Sequence, residues 1–310
     1  MGTFLGEALR AAGCEVQYAP RQIDDVVPVD ADLAIVAVKA YGTGAAIATL
    51  CRAFPPESGA TVLTPQNGVG NEEQLAAAFG ADRIVSGALT IPVERGLGGT
   101  IVAANRGGLG LAPVGANAQN WLSAAFARTA IPVTVVSDYR AMKWSKLALN
   151  IVANAACAIL DVLPERLVRI DGIFELELRA IREARAVMRA LALAPVDLPR
   201  YPVRALFAVA ALPGPAARAL LGRRIAGARG SKAPSLLLDL RAGKGRTEVE
   251  ALNGAVVAAG AAHGIATPVN AVYARLVAEI ARDPALGATY RDRPSALLAA
   301  VEAEERTVPK

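Results

Sequence analysis

Short apolar runs alternate with segments of helical spacing along the first half of the chain. The apolar runs, rich in residues that favour strands, are CEVQYAP (14–20), ADLAIVAV (31–38), ATVLTPQ (60–66) and DRIVSGAL (82–89). Segments with helical spacing lie beside them as GEALRAAG (6–13), YGTGAAIATLCRAF (41–54) and NEEQLAAAFG (71–80). Nearly continuous apolar strands that alternate with helices predict strand–helix–strand units and a doubly wound parallel sheet of the α/β class.

The pattern changes twice further along the chain. The glycine-rich stretch 99–115 contains two strand-like pieces and no helix, and it predicts an antiparallel hairpin at the edge of the sheet. From about Met142 onward only helical patterns follow, and they cover 143–160, 174–193, 246–264 and 269–284. We therefore predict an α/β domain over residues 1–137 and an all-helical domain over residues 138–310.

Charge and hydropathy exclude two classes of partner. The 33 basic and 28 acidic side chains leave a formal charge of +5 that is scattered along the chain. This distribution argues against nucleic-acid binding and suits a small anionic ligand. The longest apolar stretch, 205–221, is interrupted by Pro213, Gly214, Pro215 and Arg218, which predicts two helices and a turn instead of a membrane span.

The cysteines indicate the environment of the protein. Cys14, Cys51 and Cys157 form neither a disulfide framework nor a metal-ligand spacing. Isolated thiols of this kind are typical of a reducing compartment. We therefore expect a cytoplasmic protein without a metal site.

Three polar residues recur at every fourth position of the apolar segment 143–160. Lys146, Asn150 and Asn154 would form one slanting stripe on a helix, because steps of four residues stay on nearly the same face. Their neighbours are almost all apolar, so we expect the helix to be buried and its polar groups to need partners. The stripe is either a buried network that joins the two domains or a ligand-facing row, and we favour the ligand-facing row.

Two further candidates lie where a predicted strand ends. The segment 64–75 runs from a strand through Asn67 and Gly68 into a helix, which is the kind of junction at which open α/β sheets bind ligands. Lys39 follows the strand 31–38 in the same way, either as a solvated loop charge or as a cofactor contact. Since Asn-Gly is also a common turn, neither position identifies a function by itself.

Three residues near helix ends in the second half remain open to a structural or a functional interpretation. Glu248 is either an ordinary first-turn acid or the acidic partner of Lys146. Ser235 precedes an apolar helix, as a simple cap or as an anion-binding residue. His263 is the only histidine and lies at a predicted helix end, where an imidazole often caps carbonyls, so we predict a structural role for it.

Taken together, these segments resemble the ketopantoate reductase family (2-dehydropantoate 2-reductases), NADPH-dependent enzymes with a Rossmann domain and a helical C-terminal domain. The matching segments occur in family order over nearly the whole chain: MGTFLGEALRAAGCEVQYAPR, VAVKAYGT, TPQNGVG, KWSKLALNIVANAACAIL, PSLLLDLRAGKGRTEVEALNG and HGIATPVN. The spacing KxxxNxxxN together with TEVEALNG is more specific than any glycine motif in the chain. The resemblance implies a Rossmann-type doubly wound parallel sheet followed by an all-helical domain.

The resemblance also implies a reaction and the residues that carry it. The reaction is the NADPH-dependent reduction of a 2-keto acid, above all of 2-dehydropantoate to (R)-pantoate in pantothenate biosynthesis. Lys146 would be the general acid, and Glu248 would hold this lysine and the new hydroxyl group. The substrate would be bound by Asn150, Asn154 and Ser235.

The cofactor side follows in the same way from the resemblance. NADPH would be bound by Gly2, Arg21, Lys39 and Asn67. Among these, Arg21 would contact the 2′-phosphate and Asn67 would lie by the nicotinamide and ribose. The implied partner is a small 2-keto acid, with a homodimer as the possible assembly and with neither nucleic acid nor membrane as a partner.

The chain departs from the family pattern in three places. Family members begin with a strand and a G-x-G-x-x-G loop, whereas Met1 and Gly2 correspond to the end of that loop, so we expect the first strand of the sheet to be missing. The segment 21–30 is short, which indicates a trimmed adenosine side, and residues 199–232 are longer than in compact members. These departures keep two alternatives open: a non-catalytic NADP-binding or scaffold relative, and a related dehydrogenase for another 2-keto acid.

Overall fold

A computed structural model describes residues 1–19, 25–54, 58–96, 100–104, 106–116, 120–228 and 233–307. The chain divides into two compact units. The first unit comprises Met1–Lys146 and Val196–Pro202, and the second comprises Leu147–Pro195 and Val203–Lys310.

The first unit contains the strands of the described residues. They are β1 (Leu33–Ile35), β2 (Thr61–Thr64), β3 (Ile84–Leu89), β4 (Val93–Arg95), β5 (Ile101–Ala103), β6 (Leu109–Pro113) and β7 (Val133–Val135). Five of them form one sheet in the order β1-β2-β3-β6-β7, in which every pair is parallel except the antiparallel pair β3 and β6. The remaining two, β4 and β5, form a separate antiparallel ribbon.

Helices cover both faces of this sheet, as a doubly wound fold requires. The helices of the first unit are α1 (Gly2–Ala11), α2 (Thr43–Ala53), α3 (Asn71–Phe79), α4 (Asn120–Ala127) and most of α5 (Tyr139–Ile151). Successive residues of β2 point to opposite faces. Leu63 lies in an apolar cluster with Leu5 of α1 and Phe126 of α4, whereas Val62 lies in a second cluster with Leu75 of α3.

The predicted strand 14–20 is wrong over residues 14–19, which have no regular secondary structure. A strand exists only where its backbone pairs with a neighbour, and here the Val16 carbonyl accepts a hydrogen bond from Arg10 Nη2 of α1 at 3.0 Å. Tyr18 is about half exposed, so this segment lies over α1 and not within the sheet core. Pro20 lies outside the described residues.

The predicted hairpin over 99–115 is also wrong. Its two strands form, but β5 pairs with β4, whereas β6 lies between β3 and β7 in the main sheet. The residues of β6 are buried on both faces, which suits an interior strand better than an edge. Gly107 makes the turn into β6 with a φ of +106°, and a Cβ there would lie 2.7 Å from the backbone of Thr90. Glycine is required at this turn, although the turn does not close a hairpin.

The second unit is helical over its described residues. Its helices are the end of α5, α6 (Ala155–Leu160), α7 (Pro164–Leu167), α8 (Ile173–Ala190), α9 (Val203–Ala210), α10 (Gly214–Ala228), α11 (Ser235–Arg241), α12 (Asn253–Ala262), α13 (Pro268–Arg282), α14 (Gly287–Tyr290) and α15 (Pro294–Thr307). The predicted pair of helices within 205–221 is confirmed by α9 and α10. Among the helices that the structure describes, none has both the length and the apolar character that a membrane crossing needs.

Two helices in this unit begin or end where the sequence pattern did not indicate. The apolar segment 143–160 is not one helix, since α5 ends at Ile151 and α6 begins at Ala155. The segment predicted to be helical from 246 starts with the 3-10 turn Val249–Ala251, and α12 begins only at Asn253. The break in each case lies at backbone conformations that an apolar periodicity does not reveal.

Candidate functional site

Two residues expected at the cofactor, Lys39 and Asn67, lie at the carboxyl edge of the parallel strands. Lys39 follows β1 and precedes the 3-10 turn Ala40–Gly42, and Asn67 follows β2. The Gln66 side chain joins the two strand ends, because its Nε2 donates to the Val38 carbonyl at 3.1 Å. The fold therefore brings these two residues to neighbouring positions at one edge.

Gly2, a third expected cofactor residue, lies at the same edge. It is the first residue of α1, and a Cβ on it would lie 3.0 Å from the Cβ of Ala37, just beyond β1. The missing side chain therefore lets the amino end of α1 approach the strand end closely. The first N–H groups of a helix have no acceptor within the helix, so this end presents donors to an anion. Arg21, the fourth expected residue, lies outside the described residues.

Buried side chains hold the loop 66–72, which we call the Asn67 loop. Thr43, at the start of α2, accepts from Gln66 Nε2 at 2.9 Å and donates to Asn71 Oδ1 at 2.9 Å. The Asn71 side chain in turn donates to the Asn67 carbonyl at 3.2 Å. Gly68 and Gly70 have φ values of +84° and +93°, which glycine adopts without strain. The loop therefore has a fixed conformation next to Lys39.

A buried ion pair, missed in the sequence, joins the Asn67 loop to α5. Lys143 and Glu72 are 2% and 1% exposed, and Lys143 Nζ lies 3.1 Å from Glu72 Oε1. Lys143 also donates to the Gln66 carbonyl, and Ser86 Oγ donates to Glu72 Oε1 at 2.7 Å. The lysine thus holds both ends of the loop, with Asn67 between its two attachments.

Lys146 was expected to be buried together with the apolar helix that carries it, and the structure differs in this respect. The structure buries Lys143 one turn earlier, whereas Lys146 is only half-buried. Both lysines lie in the same apolar helix, and residues three apart lie on nearly the same face. The signal that could have identified Lys143 was a second lysine in that apolar segment together with Glu72 beside the Asn-Gly turn.

In the second unit, Asn150, Asn154 and Ser235 form one hydrogen-bonded set. Asn154 is 1% exposed, and its Nδ2 donates to the Asn150 carbonyl at 2.9 Å and to Ser235 Oγ at 3.3 Å. Its Oδ1 accepts from the Leu236 N–H at 3.1 Å. Ser235 is the first residue of α11, and Pro234 occupies the cap position that was expected of the serine. Because Ser235 Oγ accepts from Asn154, its own hydroxyl hydrogen remains to be donated elsewhere.

The stripe predicted on a single helix is therefore assembled by a turn. Ala153, between α5 and α6, has a φ of +48°, and Asn154 directly precedes α6. Asn150 and Asn154 still lie side by side, but through the side-chain bond described above. The prediction of adjacency holds, and the prediction of an unbroken helix is wrong.

A buried carboxylate lies against this turn and was also missed in the sequence. Glu177 of α8 is 1% exposed, and its Oε2 accepts from the Ala153 N–H at 2.5 Å. Its Oε1 accepts from the Tyr273 hydroxyl of α13 at 3.1 Å. Burial raises the pKa of Glu177 to about 7, although both of these hydrogen bonds favour the charged form. Burial, followed by the nearby Glu177 charge, raises the pKa of Tyr273 well above its usual value of 10.

Glu248 and His263 lie at ends of helical segments in the second unit. Glu248 is buried and precedes the 3-10 turn Val249–Ala251, and Thr247 Oγ1 accepts from the Val249 N–H at 3.3 Å. Thr247 therefore satisfies one N–H at the start of this turn, whereas Glu248 itself occupies the N-cap position. The His263 Nδ1 lies 2.9 Å from the Ala259 carbonyl near the end of α12, so the imidazole caps a helix carbonyl as predicted. In the described part of the chain, no three His, Cys, Asp or Glu side chains form a group that could hold a metal ion.

Comparison with known proteins gives consistent matches along the chain. Residues 7–115 match the family model described as Ketopantoate reductase PanE/ApbA, and residues 138–281 match the model of its C-terminal part. A 2-dehydropantoate 2-reductase from Halobacterium salinarum is 34% identical over 263 residues, which are 84% of this chain and 79% of that protein.

Two solved structures share the fold of this chain. A PanE/ApbA family ketopantoate reductase from Ralstonia eutropha JMP134 is 30% identical, with a TM-score of 0.67 over 82% of this chain and 76% of that one. A D-mandelate dehydrogenase solved with NADH is 19% identical and shares the fold, with a TM-score of 0.72 over 91% of this chain and 95% of that one. The family models and the relatives confirm the resemblance seen in the sequence, and the chain belongs to the ketopantoate reductase family of oxidoreductases.

Proposed function

We propose that the chain reduces 2-dehydropantoate to (R)-pantoate with NADPH, as a step of pantothenate biosynthesis. Family membership supports the reaction class, and relatives that match most of the chain are named 2-dehydropantoate 2-reductases. The observation that carries the substrate side is the set formed by Asn150, Asn154 and Ser235, which unites three residues singled out in the sequence.

Lys146 is the proton donor in this proposal. Reduction places negative charge on the carbonyl oxygen, and that oxygen becomes a hydroxyl when it takes up a proton. An ammonium group next to this oxygen lowers the barrier both by its charge and by transferring the proton. Lys146 lies one turn before Asn150 on α5, so the proton donor and the first amide share a rigid helix. Glu248 is assigned the role of the acidic group that works with Lys146.

The substrate carboxylate is the partner proposed for the amide and hydroxyl groups. Ser235 has a hydroxyl hydrogen to donate because its oxygen already accepts from Asn154. Asn150 adds an amide one turn from Lys146. The Asn154 side-chain amide already makes three hydrogen bonds within the protein, so its role in this proposal is to fix the position of the other two groups.

The first unit has features that fit a nicotinamide dinucleotide. When bound, this cofactor supplies the hydride. Because Gly2 has no side chain, the amino end of α1 lies close to Ala37 at the strand end, where its first N–H groups would bind a phosphate group. Lys39 adds a positive charge at the same edge. Asn67, in its fixed loop, is proposed to lie by the nicotinamide and ribose, and Arg21 to select NADPH through the 2′-phosphate.

Replacement of Lys146 tests the proposal. Lys146→Ala should lower kcat by about 10²–10⁴-fold, because it removes the proton donor while leaving cofactor binding intact. Turnover is followed as NADPH oxidation with 2-dehydropantoate, and NADPH binding by fluorescence titration of each variant. Arg140→Ala is the matched control, since Arg140 is exposed on the same helix.

The outcomes separate the proposal from its alternatives. Unchanged turnover in Lys146→Ala would remove the lysine from the mechanism. A wild-type chain that binds NADPH but turns over no 2-keto acid would favour the non-catalytic relative. Faster reduction of another 2-keto acid in a substrate panel would favour the related dehydrogenase.

A further inference from the structure

The turn between α5 and α6 has a backbone conformation that its sequence does not favour. Ala153 has a φ of +48°, in the left-handed region that residues with a Cβ avoid. The residue is also buried, so this conformation is not a consequence of a loose surface loop. Strained backbone of this kind persists only where surrounding contacts hold it.

Glu177 supplies the contact that holds the turn. Its Oε2 accepts from the Ala153 N–H at 2.5 Å. The other oxygen is held by the Tyr273 hydroxyl, so the carboxylate itself is fixed from a second helix. No step of the proposed reaction uses Glu177 directly.

The backbone conformation at Ala153 sets the position of the residues proposed to bind the substrate. Asn154 follows Ala153 without an intervening residue, so a rotation of the Ala153 backbone moves the Asn154 amide. That amide holds Ser235 Oγ and the Leu236 N–H at the start of α11, besides the Asn150 carbonyl. A continuous series of contacts therefore runs from Glu177 through the turn to Ser235.

We propose that Glu177 is a positioning residue for the keto acid: it holds Ala153 in the left-handed conformation that directs Asn154 toward Ser235. This inference rests on the proposed function, since it takes Asn154 and Ser235 as part of the substrate side. It adds a residue of α8 that touches neither the substrate nor the cofactor. Its effect is on the substrate KM and not on cofactor binding.

Two substitutions at Glu177 test this role. Glu177→Met has similar length but no acceptor, and it should raise the KM for the 2-keto acid by about tenfold to a hundredfold, because small displacements of positioning groups have effects of that size. Glu177→Gln keeps one oxygen for the Ala153 N–H and should stay within about threefold of wild type. The dissociation constant for NADPH should be unchanged in both variants.

A rescue substitution separates positioning from simple loss of stability. Glycine adopts a positive φ without strain. Ala153→Gly in the Glu177→Met background should therefore lower the raised KM most of the way back to the wild-type value. All kinetics are measured well below the melting temperature of each variant. The Ala153 amide proton, followed by NMR, should shift upfield in Glu177→Met, since its hydrogen-bond acceptor is gone.

The possible results distinguish this inference from the proposed function. If wild type reduces the keto acid and Glu177→Met has an unchanged KM, Glu177 is only structural and the inference is overturned alone. If glycine at position 153 fails to recover the KM, the backbone conformation is not what Glu177 controls, and the inference is again overturned. If wild type reduces no 2-keto acid at all, the proposed function fails first and this role fails with it.

Discussion

Glu72 and Glu177 are both about 1% exposed, one in each unit, and each lies beside a segment that the sequence singles out. Glu72 in the first unit lies 3.1 Å from the ammonium group of Lys143 and accepts from Ser86. Glu177 in the second unit accepts from a backbone N–H and from the Tyr273 hydroxyl, both of which are neutral donors. The two carboxylates hold their segments by different physical means.

The difference determines what would disturb each segment. A buried ion pair leaves an uncompensated charge when one partner is removed. Substitution of a carboxylate that is held by neutral donors lowers the free energy of unfolding less, because no charged partner is left behind. Such a carboxylate can, however, take up a proton. We therefore expect the Asn67 loop to depend on Lys143 and the turn at Ala153 to depend on pH.

The largest effect is expected from breaking the ion pair. Lys143→Met should lower the free energy of unfolding by about 3–5 kcal/mol, since it leaves the Glu72 charge buried without its partner. Urea denaturation measures this loss, and Arg140→Ala, exposed on the same helix, should stay within about 0.5 kcal/mol of wild type.

A second substitution shows whether charge or packing is responsible. Adding Glu72→Gln removes the orphaned charge and keeps an acceptor for Ser86, so the double variant should recover most of the lost stability. A double variant as unstable as Lys143→Met would show that the lysine contributes through its packing, and the contrast with Glu177 would then lose its electrostatic basis.

The strands show how far the sequence predicts this fold. The cores of β1, β2 and β3 lie within three of the predicted apolar runs, because parallel strands buried on both faces need continuous apolar sequence. The segment 14–19 has similar composition but its carbonyl at Val16 is bonded to Arg10, and no local pattern encodes that choice. The pairing of β6 with β3 also depends on distant partners, which local turn chemistry does not reveal.

The candidate site follows the same division. The spacing of Lys146, Asn150 and Asn154 could be read from one segment, and the last two lie together as expected. Lys143 and Glu177 could not be identified in that way, because each acquires its meaning from a partner far along the chain, Glu72 and Ala153 respectively. The spacing of apolar residues also does not indicate a left-handed backbone conformation such as that of Ala153. The break between α5 and α6 could therefore not be predicted from the sequence.

An intermediate effect is expected from pH at Glu177. The pKa of this carboxyl is raised from 4.5 to about 7 in the folded chain, so the folded state keeps a proton that the unfolded state has lost between these values. The protonated form therefore stabilises the folded state fully below about pH 4.5, and this contribution is lost as the pH rises to about 7. The free energy of unfolding falls by about 3 kcal/mol over this range.

The difference between two proteins isolates this contribution. Unfolding free energies of wild type and Glu177→Gln are measured from pH 4.5 to 8, so that all other carboxyls, including the raised Glu183, cancel. Wild type should lose stability relative to Glu177→Gln as the pH rises. Parallel curves would show that Glu177 does not titrate in this range and would remove the proposed contrast in pH sensitivity.

The smallest effect concerns the backbone strain that Glu177 holds. Ala192, just after α8, has a φ of +57° and is exposed, whereas Ala153 has a φ of +48° and is buried. Glycine removes a strain of about 1–2 kcal/mol at either position and adds about 0.5–1 kcal/mol of entropy cost. At Ala153 it also removes a buried methyl group worth about 0.8 kcal/mol. Ala192→Gly should therefore be slightly stabilising and Ala153→Gly nearly neutral, as measured by urea denaturation at pH 8.

A gain in the free energy of unfolding at Ala153 that exceeds the gain at Ala192 would mean that the buried turn is the more strained of the two. The contact with Glu177 would then offset a backbone strain energy at Ala153 larger than the value of about 1–2 kcal/mol for an ordinary left-handed residue.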